Sequence, residues 1–176
     1  MEPSEGPLRN FLMNQLYRRI GEPGTLSGSG DSMRFQLRAG GMCEAEASLA
    51  YELPDRTVVE YDSDILFSFN TGKRVAVELK FLSSVSDQFK ARSFNVVHVK
   101  KTHGSNVHCV LAYVHLSGTG LSTQTAKSYC YPFDEFIGID LKKPDDLCIT
   151  RLTFRSPRNC AQTGRSCIQL CIRVRE

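Results

Sequence analysis

Two carboxylates and an ammonium interrupt an otherwise apolar stretch of this chain. Asp64, Glu78 and Lys80 fall within EYDSDILFSFNTGKRVAVELKF, residues 60–81. The stretch reads as two short strands, with Asp64 at the head of the first. Between them Asn70-Thr71-Gly72-Lys73 forms a hairpin turn, with Asn and Gly where positive φ is needed. Side chains alternate faces along a strand. Ile65, Phe67 and Phe69 therefore share one face of the first strand, and Asp64, Leu66 and Ser68 the other. In the second, Val75, Val77 and Leu79 share one face, and Ala76, Glu78 and Lys80 the other. Matching the faces brings Asp64, Glu78 and Lys80 together. An exposed Glu–Lys pair contributes under about 1 kcal/mol and normally sits on a polar face. Here the flanking residues are Ile, Leu, Phe and Val, so an ordinary surface ion pair explains little. A hard divalent cation held between the carboxylates explains more, because oxygen ligands suit Mg²⁺.

Asp62 lies two residues before Asp64, on the same strand face, and is its rival as first ligand or its supporting partner. Glu60 shares that face at a greater remove. His98, His103, His108 and His115 show no ligand spacing with a partner acid; His108 and His115 fall in an apolar strand, as core or face residues. No phosphate-binding Walker loop and no dinucleotide fingerprint is present.

The elements that must position these groups can be traced along the chain. Leu8, Phe11, Leu12, Leu16 and Ile20 recur at helical spacing, predicting a helix over residues 7–20 that ends at Gly21 and Pro23. Ser4 or Glu5 serves its start. Residues 21–32, rich in Gly and Ser, read as a flexible loop. Met33–Arg38 alternates weakly, as a strand. Cys43–Leu53 is ambiguous: Glu44, Ala45, Glu46 and Ala47 are helix formers, while Ser48–Leu53 extends as strand. After the hairpin, Ser83–Asp87 opens a second helix that runs toward Lys101. Val107–Leu116 is a nearly continuous apolar run, typical of a strand covered on both faces. Phe133–Leu141 is a short helix or strand, and Leu147–Phe154 and Cys167–Val174 alternate like strands.

The chain's 176 residues suit a single domain, and 41% apolar with 23% charged residues is the composition of a soluble globular protein. A net charge of +3 permits nucleic-acid binding without requiring it. No apolar run approaches about 18 residues, so no membrane span is expected. The first 30 residues lack the apolar core of a signal peptide. These features predict an intracellular protein, cytoplasmic or nuclear. The seven cysteines then read mainly as small buried hydrophobes, with Cys148, Cys160, Cys167 and Cys171 a conceivable zinc set of unusual spacing.

The order helix, strand, acid-bearing hairpin, helix, strand resembles the core of the PD-(D/E)XK nuclease superfamily, also called the restriction-endonuclease-like fold. Asp64 followed by Ile-Leu-Phe-Ser-Phe matches its first motif element, and Val75-Ala76-Val77-Glu78-Leu79-Lys80 its second, with 13 residues between Asp64 and Glu78. Ser63 stands before Asp64 where the family has Pro, a loosely kept position. The resemblance covers residues 5–116. It implies an α/β fold, three α/β/α layers around a central mixed β-sheet, in one domain spanning 1–176, with 117–176 an extension of that domain.

The same resemblance implies a Mg²⁺-dependent endonuclease, with Mn²⁺ able to substitute, that hydrolyses phosphodiester bonds in DNA. Asp64, Glu78 and Lys80 would be catalytic; Asp64, Glu78 and the backbone carbonyl of Leu79 would hold the metal. Lys80 would orient the attacking water, lower its pKa or neutralise the phosphate, its own pKa raised by carboxylates and lowered by desolvation or metal. In several members the first helix adds an acid, a part for Glu5, or for Glu46 if its segment is helical. In some, a Gln beyond the lysine touches the phosphate, a part for Gln88. Lys73, Arg74, Lys90, Arg92, Lys100 and Lys101 are candidates for DNA contact, with Arg155 and Arg158 further along. A homodimer would supply one cut per strand. RNA cleavage, and a non-catalytic nucleic-acid-binding or assembly module on the same fold, are the alternative readings.

Overall fold

Period-two alternation dominates residues 41–81, and the chain answers it with long strands. The computed structural model describes residues 5–81, 86–116, 132–141, 151–154 and 168–171, with side chains described for 5–80, 93–112 and 132–135. The elements are α1 (Glu5–Ile20), β1 (Arg34–Gln36), β2 (Gly41–Glu52), β3 (Val58–Phe69), β4 (Arg74–Phe81), α2 (Ser86–His103), β5 (Val107–Leu116), β6 (Glu135–Leu141), β7 (Arg151–Phe154) and β8 (Ile168–Cys171). Strands β1 to β6 form one sheet in sequence order, and β7 pairs with β8 in a second. The first four strands are antiparallel, whereas β4–β5 and β5–β6 are parallel, so the large sheet is mixed and the fold is α/β.

Two apolar clusters hold the helices to this sheet. Leu8, Leu12, Met13 and Leu16 of α1 pack with Phe35, Cys43, Ile65, Phe67, Val75, Val77 and Leu79. Val96 and Val99 of α2 pack with Leu49, Tyr51, Tyr61, Leu66 and Ala76. The odd residues of β4 thus face α1 and Ala76 faces α2, as strand alternation requires. Each large buried apolar side chain contributes about 1.5–3 kcal/mol. Gly21 ends α1 because a Cβ there would overlap Tyr17. None of the described helices is long and apolar enough to cross a membrane.

Several expectations are corrected here. Residues 41–52 are strand throughout, despite the helix formers at 44–47. Pairing with β3 on either side of Glu46, and with β1 at residues 42–44, holds them in the sheet, and tertiary pairing outweighs propensity differences of a few tenths of a kcal/mol. Asp64 is not at the head of its strand: β3 begins six residues earlier, at Val58. Residues 21–32 are pinned as well. Glu22 N–H donates to Gln36, and Ser27 exchanges two backbone hydrogen bonds with Arg34.

The β2–β3 hairpin also turns over in its middle. Its register pairs skip Glu46 and Asp64, resuming at Ala47↔Ser63. Glu46 has φ 45°, left-handed backbone that a non-glycine residue seldom adopts. On one side of this point the odd residues Cys43, Ala45, Ile65 and Phe67 face the α1 core. On the other side the odd residues Leu49, Tyr51 and Tyr61 face the α2 core.

Candidate functional site

The turnover splits the sheet. Pairing between β3 and β4 runs only from Ser68↔Arg74 to Ile65↔Val77. The next opposed positions are Asp64 and Glu78, where the ladder stops. Beyond them β3 stays with β2, while β4 stays with β5 as far as Phe81↔Val114. Leu79 N–H consequently has no β3 carbonyl to meet, and Asp64 Oδ2 accepts it instead at 2.8 Å. A strand residue's N–H and C=O point to the same edge, so the Leu79 carbonyl also faces this fork.

Glu78 is fully buried, an unusual place for a carboxylate. The Tyr61 hydroxyl donates to its Oε2 at 3.1 Å, and Lys80 Nζ lies 3.1 Å from its Oε1. Lys80 also donates to Glu5 Oε1 at 3.0 Å. Burial alone would pull the Lys80 ammonium down, but Glu78 and Glu5 outweigh it and hold its pKa above the ordinary lysine value. Lys80 is therefore a cation at neutral pH and acts as a donor and a positive charge.

α1 answers the fork with opposite charges. Glu5 and Arg9 are four residues apart, hence on one helix face. Glu5 meets Lys80, and Arg9 meets Asp64, with Nη1 3.1 Å from Oδ1. The Arg9 side chain is only 4% exposed. It also pairs with Glu46 at 2.7 Å and with Asp31, carried by a 3-10 turn at Gly30–Ser32. Burial opposes its charge, yet Glu46, Asp31 and Asp64 together raise its pKa. Five carboxylates (Glu5, Asp31, Glu46, Asp64, Glu78) thus meet two cations, a formal charge of −3.

That excess, and the all-oxygen donor set, fit a hard divalent cation. A carboxylate has about four lone-pair sites, so one that already accepts hydrogen bonds can also hold a cation. Among the described residues no three His, Cys, Asp or Glu side chains gather as a metal cage. Mg²⁺ does not need one, since it keeps several waters and commonly takes only one or two carboxylates. Asp64, Glu78 and the Leu79 carbonyl would be the protein ligands.

The structure sorts the other sequence candidates. Glu5 does reach the site. So does Glu46, through Arg9 and from a strand rather than a helix. Asp62 turns away, accepting from Ser48 Oγ at 2.6 Å on the exposed side. Lys73 and Arg74 stand at the far end of β4, about 20 Å along the strand from Lys80. Lys100 is committed to Asp134 and the Pro132 carbonyl. Lys101 is exposed. The side chains of Gln88, Lys90, Arg92, Arg155 and Arg158, and of the proposed zinc cysteines, lie outside the described residues.

His108, which shows no ligand spacing with a partner acid in sequence, lies near two acids in space: Nδ1 is 3.8 Å from Asp134 and Nε2 is 3.7 Å from Glu135, beyond hydrogen-bond reach. Those acids sit 26 and 27 residues on, beyond any local spacing rule. Sequence reasoning missed Arg9, Asp31 and Tyr61. Arg9 left one signal, a charge beside Leu8, Leu12 and Met13 on the apolar side of its helix. Asp31 and Tyr61 left none. No family model matches the chain, and no curated protein matches its sequence.

Proposed function

We propose that the fork is the active site of a metal-dependent endonuclease hydrolysing phosphodiester bonds in DNA, built on a three-layer restriction-endonuclease-like core of the PD-(D/E)XK kind. One observation carries the reading. Asp64 and Glu78 occupy the first unpaired positions of two parting strands, with Lys80 following on the buried carboxylate. When bound, Mg²⁺ or Mn²⁺ supplies Lewis-acid polarisation of the phosphate and lowers the pKa of a water.

The chain's own groups do the rest. Asp64, braced by Leu79 N–H, and Glu78, braced by Tyr61, present carboxylate oxygens held by neighbouring donors. Lys80, charged and aimed by Glu5 and Glu78, donates a hydrogen bond to the attacking water or a phosphate oxygen. As a cation it stabilises developing negative charge. Among the α2 residues whose side chains are described, Lys101 is an exposed basic group that DNA could meet, and a homodimer would present two forks to the two strands.

A second reading rests on a different observation. Asp64 and Glu78 already have protein cations beside them, Arg9 and Lys80. A binding module could use such pairs as struts, without turnover.

A cleavage assay separates the two. Supercoiled plasmid, linear duplex, a four-way junction and an RNA hairpin are incubated with wild type and Lys80→Ala, in Mg²⁺, Mn²⁺ or EDTA, with circular dichroism to confirm folding. The nuclease reading expects cleavage of a DNA substrate that needs metal and disappears in the variant. Cleavage of the RNA alone reassigns the substrate. Cleavage of none, or equal cleavage by both proteins, removes the fork as a nuclease centre and leaves the strut.

A further inference from the structure

Arg9 has more counter-ions than burial of one guanidinium requires. An unpaired buried cation is strongly unfavourable, and one carboxylate would relieve it. Three are present, from three separate elements: Asp64 of β3, Glu46 of β2 and Asp31 of the 3-10 turn. Only Asp64 belongs to the cation site. Glu46 and Asp31 are about half or more exposed, at 46% and 66%. Nη1 lies closer to Glu46, at 2.7 Å, than to Asp64 Oδ1, at 3.1 Å. A divalent ion on Asp64 and Arg9 on the same carboxylate would repel each other at contact range, where partial burial leaves the repulsion poorly screened.

We propose that Arg9 is a positioning residue that competes with the divalent cation for Asp64, and that Glu46 and Asp31 are the acceptors onto which it withdraws. The inference rests on the cation reading of the fork given above. Without the ion, Arg9 neutralises Asp64 and holds its carboxylate against Leu79 N–H. With the ion, Arg9 gives up Asp64 and keeps Glu46 and Asp31, which it already contacts. Cation affinity is thereby set by a residue that need not touch the cation.

Calorimetric titration of Mn²⁺ into the full chain tests this without reference to turnover. Arg9→Met is expected to bind Mn²⁺ about fivefold or more tighter than wild type. Arg18→Met, which deletes the same charge at an exposed position of α1, is expected to change affinity less than about twofold. Glu46→Gln removes an acceptor and is expected to weaken binding in wild type, but not in the Arg9→Met background. Equal weakening in both backgrounds is a field effect alone and overturns the proposal, as does unchanged or weaker binding by Arg9→Met. If Arg9→Met does not fold, Arg9→Lys replaces it as the background, since an ammonium cannot bridge three carboxylates. Asp64→Asn tells the two readings apart. Loss of Mn²⁺ binding in Asp64→Asn with no change in Arg9→Met keeps the cation site and discards the role of Arg9. No Mn²⁺ binding by wild type, or full binding by Asp64→Asn, discards both.

Discussion

The two halves of the β3–β4 pair are built on opposite principles. From Ile65 to Ser68 the strands are laddered to Arg74–Val77, and Ile65, Phe67, Val75 and Val77 are almost completely buried in the α1 core. From Asp64 toward Tyr61 the strands part, and the space is filled by charge: Asp64 and Arg9, Glu78 and Lys80, with Tyr61 closing one side. The closed half is stabilised by apolar burial and backbone pairing. The open half buries groups whose desolvation roughly cancels their attraction. Apolar burial resides in one half and buried charge in the other, only a few residues apart on the same strands.

Substitution should separate the halves most sharply. Phe67→Ala in the closed half is expected to cost about 3–5 kcal/mol in urea unfolding, and no second substitution nearby should restore it. Lys80→Met in the open half is expected to cost a similar amount, about 3–5 kcal/mol, because Glu78 is left buried without its cation. There the loss should be recoverable: Glu78→Leu added to Lys80→Met should return much of it, since apolar replacement of a buried pair is often neutral or stabilising. If the double variant is no more stable than Lys80→Met alone, the open half is held together by its charges and the contrast fails.

Smaller effects sharpen the same contrast. Tyr61→Phe removes a donor to a buried carboxylate and should cost about 1–3 kcal/mol, measured by the same unfolding curves. The pH dependence should also distinguish the halves. The Lys80 pKa in the folded chain lies above its ordinary value of 10.5. Its stabilising contribution is therefore complete below that pH and disappears as pH rises through the folded value. Wild type should remain more stable than Lys80→Met up to about pH 10, and the two should converge above it. Wild type and Phe67→Ala should not converge. The smallest change expected is in Ser48→Ala, within about 0.5 kcal/mol, because its bond to Asp62 lies on the exposed face outside the fork.

Burial explains a further difference among reactive groups. Cys43 is pushed well above the usual thiol range by burial and by Glu44, and Cys109 to about 12 by burial and Asp134, against the opposing charge of Lys100. Both remain protonated near neutrality. These two thiols serve as core volume, Cys43 in the α1 core and Cys109 in the α2 core.

Much of this protein was decided locally, and the sequence by itself carried that part. The helical spacing of Leu8, Leu12 and Leu16, the Asn70–Lys73 turn and the alternation through Val75–Lys80 determined α1, the hairpin and which face bears Glu78 and Lys80. Local spacing is enough there because both regular periods are short. Three things were settled only in three dimensions. The strand identity of residues 41–52 came from pairing with β3 along the strand and with β1 at residues 42–44, outweighing local helix propensity. The turnover at Glu46 and Asp64, which stops the ladder and opens the fork, depends on two helix cores claiming the two ends of one hairpin. The partners of Asp64 and Lys80, Arg9 and Glu5, come from a helix more than fifty residues away, because charge complementarity acts through space and leaves no period in the chain.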